Sequence, residues 1–181
     1  MNMPFLIGIL VVAVIVIIWI ISTSNRFKIL LVKISESSSG IDVALTKRYD
    51  TLTKTMDVVR AYAKHETETF EKVIKLRAGM SMAEKNEANH SMDEVAHRIN
   101  LVAENYPELR SSENFKQLQA AIMDAEDHLQ AARRVYNMNV SAFNQKMLVF
   151  PDSIIANVAH YTPREFFEAD EIKQMDVKID L

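Results

Sequence analysis

Residues 111–150 read SSENFKQLQAAIMDAEDHLQAARRVYNMNVSAFNQKMLVF. Apolar or small side chains recur through this stretch at Phe115, Leu118, Ile122, Ala125, Leu129, Ala132, Tyr136, Asn139, Phe143, Met147 and Phe150, nearly always three or four residues apart. That spacing predicts one long amphipathic helix. Ser111 or Ser112 supplies its cap, Glu113 suits the positive end of its dipole, and Pro151 marks its stop. With no glycine or proline inside, the helix extends about 55 Å at about 1.5 Å per residue. A rod of that length with one apolar seam requires partner helices along all of it.

The partners lie upstream. Ile41 to Leu76 carries helical spacing through Leu45, Tyr49, Leu52, Met56, Val59, Tyr62, His65, Thr69 and Val73, and Gly79 ends it. The segment Asp50-Thr51-Leu52-Thr53 allows a turn, so this region is one helix or two. Ser81 with Glu84, and Ser91 with Glu94, each have the capping-box spacing, and a further helix begins at one of them. Its seam is Met92, Val95, Ile99, Val102 and Tyr106; Pro107 closes it, and the short return through Glu108 to Arg110 sets it antiparallel to the long helix.

Further out, Phe5 to Ile21 is an uninterrupted apolar run that includes Ile7, Leu10, Val14, Ile18 and Trp19. It sits at the short end of what spans a bilayer. Basic residues before the run and a small-x-small site after it are both missing, which favours an uncleaved anchor over a signal peptide. Arg26, Lys28 and Lys33 follow the run and no charged side chain precedes it, so the positive-inside rule places the bulk of the chain in the cytoplasm. Ser35 to Gly40 is poor helix interior and reads as a hinge or cap between stalk and bundle; the alternative is a weak spot in one continuous helix. The expected organisation is therefore an anchor over residues 1–22, a juxtamembrane stalk over 23–40, a helical bundle over 41–157 and a terminal segment over 158–181. In that last segment Thr162, Pro163 and Glu165 predict a short helix carrying Phe166 and Phe167. Met175 to Leu181 then alternates apolar and polar like a strand, to lie over its own bundle or to clasp a neighbouring subunit.

Composition agrees with an all-helical chain: 181 residues hold three glycines, four prolines and ten methionines. A formal net charge of -3 leaves no positive excess for nucleic acid. The lack of cysteine excludes disulfides, thiolate metal sites, cysteine nucleophiles and a lipidated cysteine anchor.

A set of short motifs then falls in one order along the chain: Ile41-Asp42-Val43 with Leu45 and Lys47-Arg48-Tyr49-Asp50; Tyr62-Ala63 with His65-Glu66; Glu104-Asn105-Tyr106-Pro107 with Leu109; Asn114-Phe115 with Leu118-Gln119. Ala132-Arg133, Tyr136-Asn137, Val140, Phe143-Asn144, Phe150-Pro151, Ile154-Ile155-Ala156 and Phe167-Glu168 continue it. In these motifs the chain resembles the LemA family. Thr53-Lys54 stands where that family usually reads Pro-Asn, which makes a bend there less favoured. The resemblance implies a transmembrane helix followed by an up-and-down antiparallel four-helix bundle with long helices, tethered to a bacterial inner membrane. It implies no biochemical activity.

Residue by residue, no chemistry assembles. His65-Glu66 lacks the second histidine of a zinc-protease motif, since Thr69 stands there. Glu94 and His97 form one Glu-x-x-His pair where a di-iron bundle needs two, and they point away from the Val95, Ile99, Val102 seam. His128 and His160 have no companion at metal spacing, no serine sits in a nucleophile elbow, and Gly8, Gly40 and Gly79 build no phosphate loop. No catalytic, cofactor-binding or metal-binding residue is assigned.

The informative feature is a polar track beside the long seam: Gln119, Glu126, Arg133, Asn137 and Asn144, mostly seven residues apart. It either fixes helix register, by bonds to Asp42, Arg48 or Asp50, or lines a groove for a ligand or partner. The expected function is a non-catalytic membrane-tethered scaffold with membrane lipid and further copies of itself as partners, alongside unidentified membrane or cytoplasmic proteins. Shaping of the membrane is its stronger form, and a bundle that binds a small molecule or metal is the alternative.

Overall fold

The buried side chains Phe27, Ile34, Ile41, Leu45, Leu52 and Val59 follow one another at steps of seven, or of four, along a single helical face. That face belongs to α1 (Met3–Tyr62), a helix of 60 residues and about 90 Å. The computed structural model describes residues 3–63, 76–77 and 79–167. Among these are four further helices, α2 (Met82–Asn105), α3 (Pro107–Ser111), α4 (Glu113–Leu148) and α5 (Asp152–Val158), and no strand.

The helix passes through Ser35–Gly40 without a break. Ser37 donates to the carbonyl of Lys33 at 2.7 Å and Ser39 to that of Ser35 at 3.2 Å, so their hydroxyls are satisfied one turn back along the same helix. Thr51, Thr53 and Thr55 do the same, bonding the carbonyls of Lys47, Tyr49 and Thr51 at 2.8, 2.9 and 2.8 Å, and the turn possible at Asp50–Thr53 is not made. Residues 23–40 are therefore not a stalk below the bundle. Phe27 packs edge-on against Phe143 of α4 at 5.8 Å and, tilted, against Tyr161 at 5.1 Å, which makes this stretch the lower half of the bundle itself. The expected continuation of the helix through His65, Thr69 and Val73 lies outside the described residues.

Ser81 caps α2 with the full capping box: its hydroxyl accepts from the Glu84 amide at 3.3 Å and its own amide donates to the Glu84 carboxylate at 2.7 Å. Met92, Val95, Ile99 and Val102 are buried as their spacing predicts. The return at Pro107 is one helical turn, pinned by the buried Leu109. Ser112 then caps α4, accepting from Phe115 N at 3.3 Å.

Pairings across the bundle give the helix directions. Lys85 meets Asp42 and Arg48 meets Asp93, so α2 runs parallel to α1. Gln119 meets Asn100, so α4 runs antiparallel to α2. Asn139 reaches Lys33 while Lys47 reaches Asp124, so α4 is antiparallel to α1 as well. Lys85 meets Ser38 and Asp42, so the start of α2 lies near mid-height of the bundle, well below Ala63. Two expectations at the C-terminal side are corrected. Phe150, assigned to the apolar seam, is exposed, because α4 stops at Leu148 and the chain turns before Pro151 into α5. Residues 161–167 form no helix despite the Thr162-Pro163-Glu165 signature, for a reason that lies on α4.

Candidate interaction site

Two polar clusters on α4 hold the other elements in place. The upper one centres on Arg48, which is 4% exposed on the core face of α1. Its Nη1 donates to Asn89 Oδ1 at 2.5 Å and to the Asn89 carbonyl at 3.3 Å; its Nη2 bonds the Asp93 carboxylate and lies 2.9 Å from Glu126 Oε2. One guanidinium thus joins α1, α2 and α4. A fork of rigid donors suits this geometry, since each arm can serve a different helix. Lys85, equally buried, adds a second tie from α2 to α1 through Asp42 at 2.7 Å and Ser38 at 2.9 Å.

The lower cluster grips the chain that follows α5. Asn144 donates from Nδ2 to the carbonyl of Arg164 at 2.9 Å and accepts from the Arg164 amide at 2.8 Å. Asn137 does the same to Phe167, donating to its carbonyl and accepting from its amide, both at 2.9 Å. Between them Tyr136 donates its hydroxyl to the carbonyl of Glu165 at 2.9 Å. Seven residues of helix rise about 10.5 Å, which three residues of extended chain also span at about 3.3 Å each. Two asparagines two turns apart can therefore pair with residues 164 and 167 as a neighbouring strand would. That pairing takes the backbone groups a helix at Thr162–Phe167 would have used internally. Phe167 anchors the strap in the core at 1% exposure. Burial pushes the Tyr136 phenol above its ordinary pKa, so it remains a donor through the neutral range.

Of the polar track expected from the sequence, Glu126 finds Arg48, Gln119 finds Asn100 at 3.1 Å, and Asn137 and Asn144 find the strap. Arg133 bonds Gln130 of its own helix at 3.0 Å. Asp42 pairs with Lys85, and Phe115 is core. Tyr62, Glu104, Asn105, Pro107, Asn114 and Asp50 are at the surface, while His65, Glu66 and Met175 to Leu181 lie outside the described residues. The α2 contributions of Lys85, Asn89 and Asp93 were missed. Lys85 and Asn89 continue the Met92–Ile99 stripe backwards in steps of three or four, and a polar residue on a seam position was the available signal.

Two open grooves flank these clusters. One of about 540 Å³, between α2 and α4, is lined by Asn100, Glu104, Arg110, Lys116 and Gln119 among others. The second, of about 380 Å³ on the outer face of α1 and α4, is lined by Gly40, Val43, Ala131, Ala132 and Val135 and is mainly apolar. No group of three metal-ligating side chains converges among the described residues. Glu94 faces His90 at 3.6 Å, one turn back on α2. At the N-terminal end, α1 is long and apolar enough to cross a membrane, and none of its most apolar window is buried.

Comparison with known proteins gives one family. The profile described as the LemA family matches residues 37–181, from the middle of α1 onward. The chain is also 30% identical over 150 residues to the protein LemA of Metamycoplasma hominis, an alignment covering 80% of this chain and 68% of that protein.

Proposed function

This chain belongs to the LemA family, and we propose that it is a non-catalytic helical scaffold, tethered in the bacterial cytoplasmic membrane by α1, that assembles with further copies of itself. One observation carries this reading. The apolar run at Phe5–Ile21 and the core seam from Phe27 to Val59 lie on one unbroken helix, so anchor and bundle form a single rod. Side chains of the run are exposed nearly throughout, a state that lipid relieves and water does not. Arg26, Lys28 and Lys33 follow directly and favour a cytoplasmic bundle.

The charged side chains that meet inside the bundle serve packing: Arg48, Lys85 and Lys146 each pair with a carboxylate of another segment. This supports a scaffold over an enzyme. Self-association is supported by the groove at Gly40, Val43, Ala131, Ala132 and Val135, where small residues allow another helix to approach closely. Net negative charge disfavours nucleic acid as a partner.

The test is extraction of the full-length chain from cell membranes in a mild detergent, followed by measurement of its mass. The scaffold reading expects a chain that resists alkaline washing and leaves the membrane as a homo-oligomer. A monodisperse monomer that captures no protein after crosslinking in cells contradicts it. A second reading, a bundle that binds a small molecule, rests on the charged groove between α2 and α4. Native mass spectrometry of the extracted protein tests it, and an unliganded mass contradicts it.

A further inference from the structure

The corner between α4 and α5 carries large apolar side chains that none of the described residues covers. Leu148 is 81% exposed, Phe150 77% and Val158 74%, with Val149 and Ile154 also exposed. Exposed apolar side chains of this size in one short stretch mark a contact surface. Its position in the fold identifies the occupant. Thr23 donates to Asp152 at 3.3 Å, Lys146 lies over the Phe27 ring at 5.4 Å, and Asn139 bonds the Lys33 carbonyl at 3.3 Å. This antiparallel register brings Val149 and Phe150 to the height of Thr23. Two residues of helix, about 3 Å, separate Thr23 from Ile21, the last residue of the apolar run.

We propose that the α4–α5 corner is a membrane wedge: Leu148, Val149, Phe150, Ile154 and Val158 insert into the headgroup and acyl boundary of the leaflet through which α1 emerges. The proposal rests on α1 being the membrane anchor. Charge at the corner agrees with it. From Leu148 to His160 the sequence holds one carboxylate, Asp152, and that group is paired with Lys146. Arg26 and Lys28 are exposed three and five residues beyond Thr23, about 5 and 8 Å along the helix, at the height of lipid phosphates. Interfacial elements of this kind enter about 5–10 Å, so a side chain at position 150 reaches the upper acyl carbons. With α1 crossing both leaflets and the corner entering one, the protein occupies more area in the proximal leaflet and its tilt is fixed by two contacts.

The absence of native cysteine and the single tryptophan, Trp19, make the test direct. Full-length Phe150→Cys and Val158→Cys, each labelled with a polarity-sensitive fluorophore, are reconstituted into vesicles of mixed zwitterionic and anionic phospholipid. Met123→Cys, exposed near the Lys47–Asp124 pair far up the bundle, is the reference. The wedge predicts a blue-shifted signal at 150 and 158, lost when a phospholipid with a nitroxide high on its acyl chain is included, and an unaffected signal at 123. Trp19 emission, quenched by brominated phospholipid, reports the anchor separately. Quenching of Trp19 with polar, unquenched signals at 150 and 158 overturns the wedge and leaves the anchor standing. Blue-shifted signals that lipid quenchers do not touch mean that a protein surface covers the corner, which also overturns it. An unquenched Trp19 overturns the anchor and the wedge together.

Discussion

Asn137 holds Phe167 by both polar ends of its peptide unit, its amide oxygen taking the N–H and its amide nitrogen the C=O, each at 2.9 Å. Asn144 repeats the grip on Arg164. These bonds read backbone alone, so the strap is held by geometry and by one buried ring. Asn137→Ala removes both bonds and leaves part-buried backbone groups unpaired, at a cost of about 1–3 kcal/mol. Urea unfolding of the full chain in detergent measures the loss. Limited proteolysis after Arg164 is expected to accelerate in the variant, and an unchanged cleavage rate would contradict the clamp.

Arg48 ties three helices from a buried position, and its removal leaves Asp93 and Glu126 without their shared cation. Arg48→Ala is expected to destabilise by about 3–5 kcal/mol. Combining it with Glu126→Ala in a double-mutant cycle should return a coupling of about 0.5–3 kcal/mol. A coupling near zero would mean that the pair contributes to neither stability nor register.

Gly40 lies inside α1, and a methyl group added there meets nothing within 4 Å. Gly40→Ala should therefore stabilise the monomeric bundle by about 0.5–1 kcal/mol through helix propensity. Gly40→Leu is expected to spare the bundle and weaken association of copies through the adjoining groove. Equal oligomer mass in both variants would exclude that face from the assembly.

Stability should show two pH limbs of opposite sign. Hydrogen bonds from the Ser81 amide and hydroxyl, with Arg77 beside them, hold the Glu84 carboxyl below its usual range. Its contribution is full above the ordinary glutamate range and is lost as pH falls through the lowered value. Tyr136 is displaced upward by burial, so its contribution is full below about pH 10 and is lost as pH rises through the raised value. Urea midpoints against pH measure both limbs. Ser81→Ala should flatten the acid limb, and Tyr136→Phe the alkaline one.

The helices were legible where one apolar period ran without interruption, as from Phe115 to Phe143 and from Met92 to Val102. The unbroken α1 was harder to read because Ser37, Ser38, Ser39 and Gly40 mask a heptad step that passes from Ile34 to Ile41. Hydroxyls of Ser37 and Ser39 bond their own helix one turn back, and packing of Ile34 and Ile41 in the core outweighs the weak helix propensity of the serines. Of the upper cluster, Arg48 and Glu126 were readable as polar residues near a seam, and Lys85 and Asn89 as polar residues on the α2 stripe, whereas which of them meet required the parallel placement of α1 and α2. Thr162-Pro163-Glu165 signals a helix, and the asparagines of α4 outcompete it by offering the same backbone groups a partner already fixed in place. Such competition between distant segments leaves no local mark in the sequence.

The proposed anchor and the bundle core lie on one continuous helix. Spin labels on cysteines introduced at Ile20 and Val43, both exposed, test it through their distance distribution in the full-length protein, diluted with unlabelled chain in lipid. An unbroken α1 separates these backbone positions by about 35 Å and predicts a narrow distribution centred near that value. A broad distribution, or one centred at much shorter distances, would place a hinge between lipid and bundle and contradict the account.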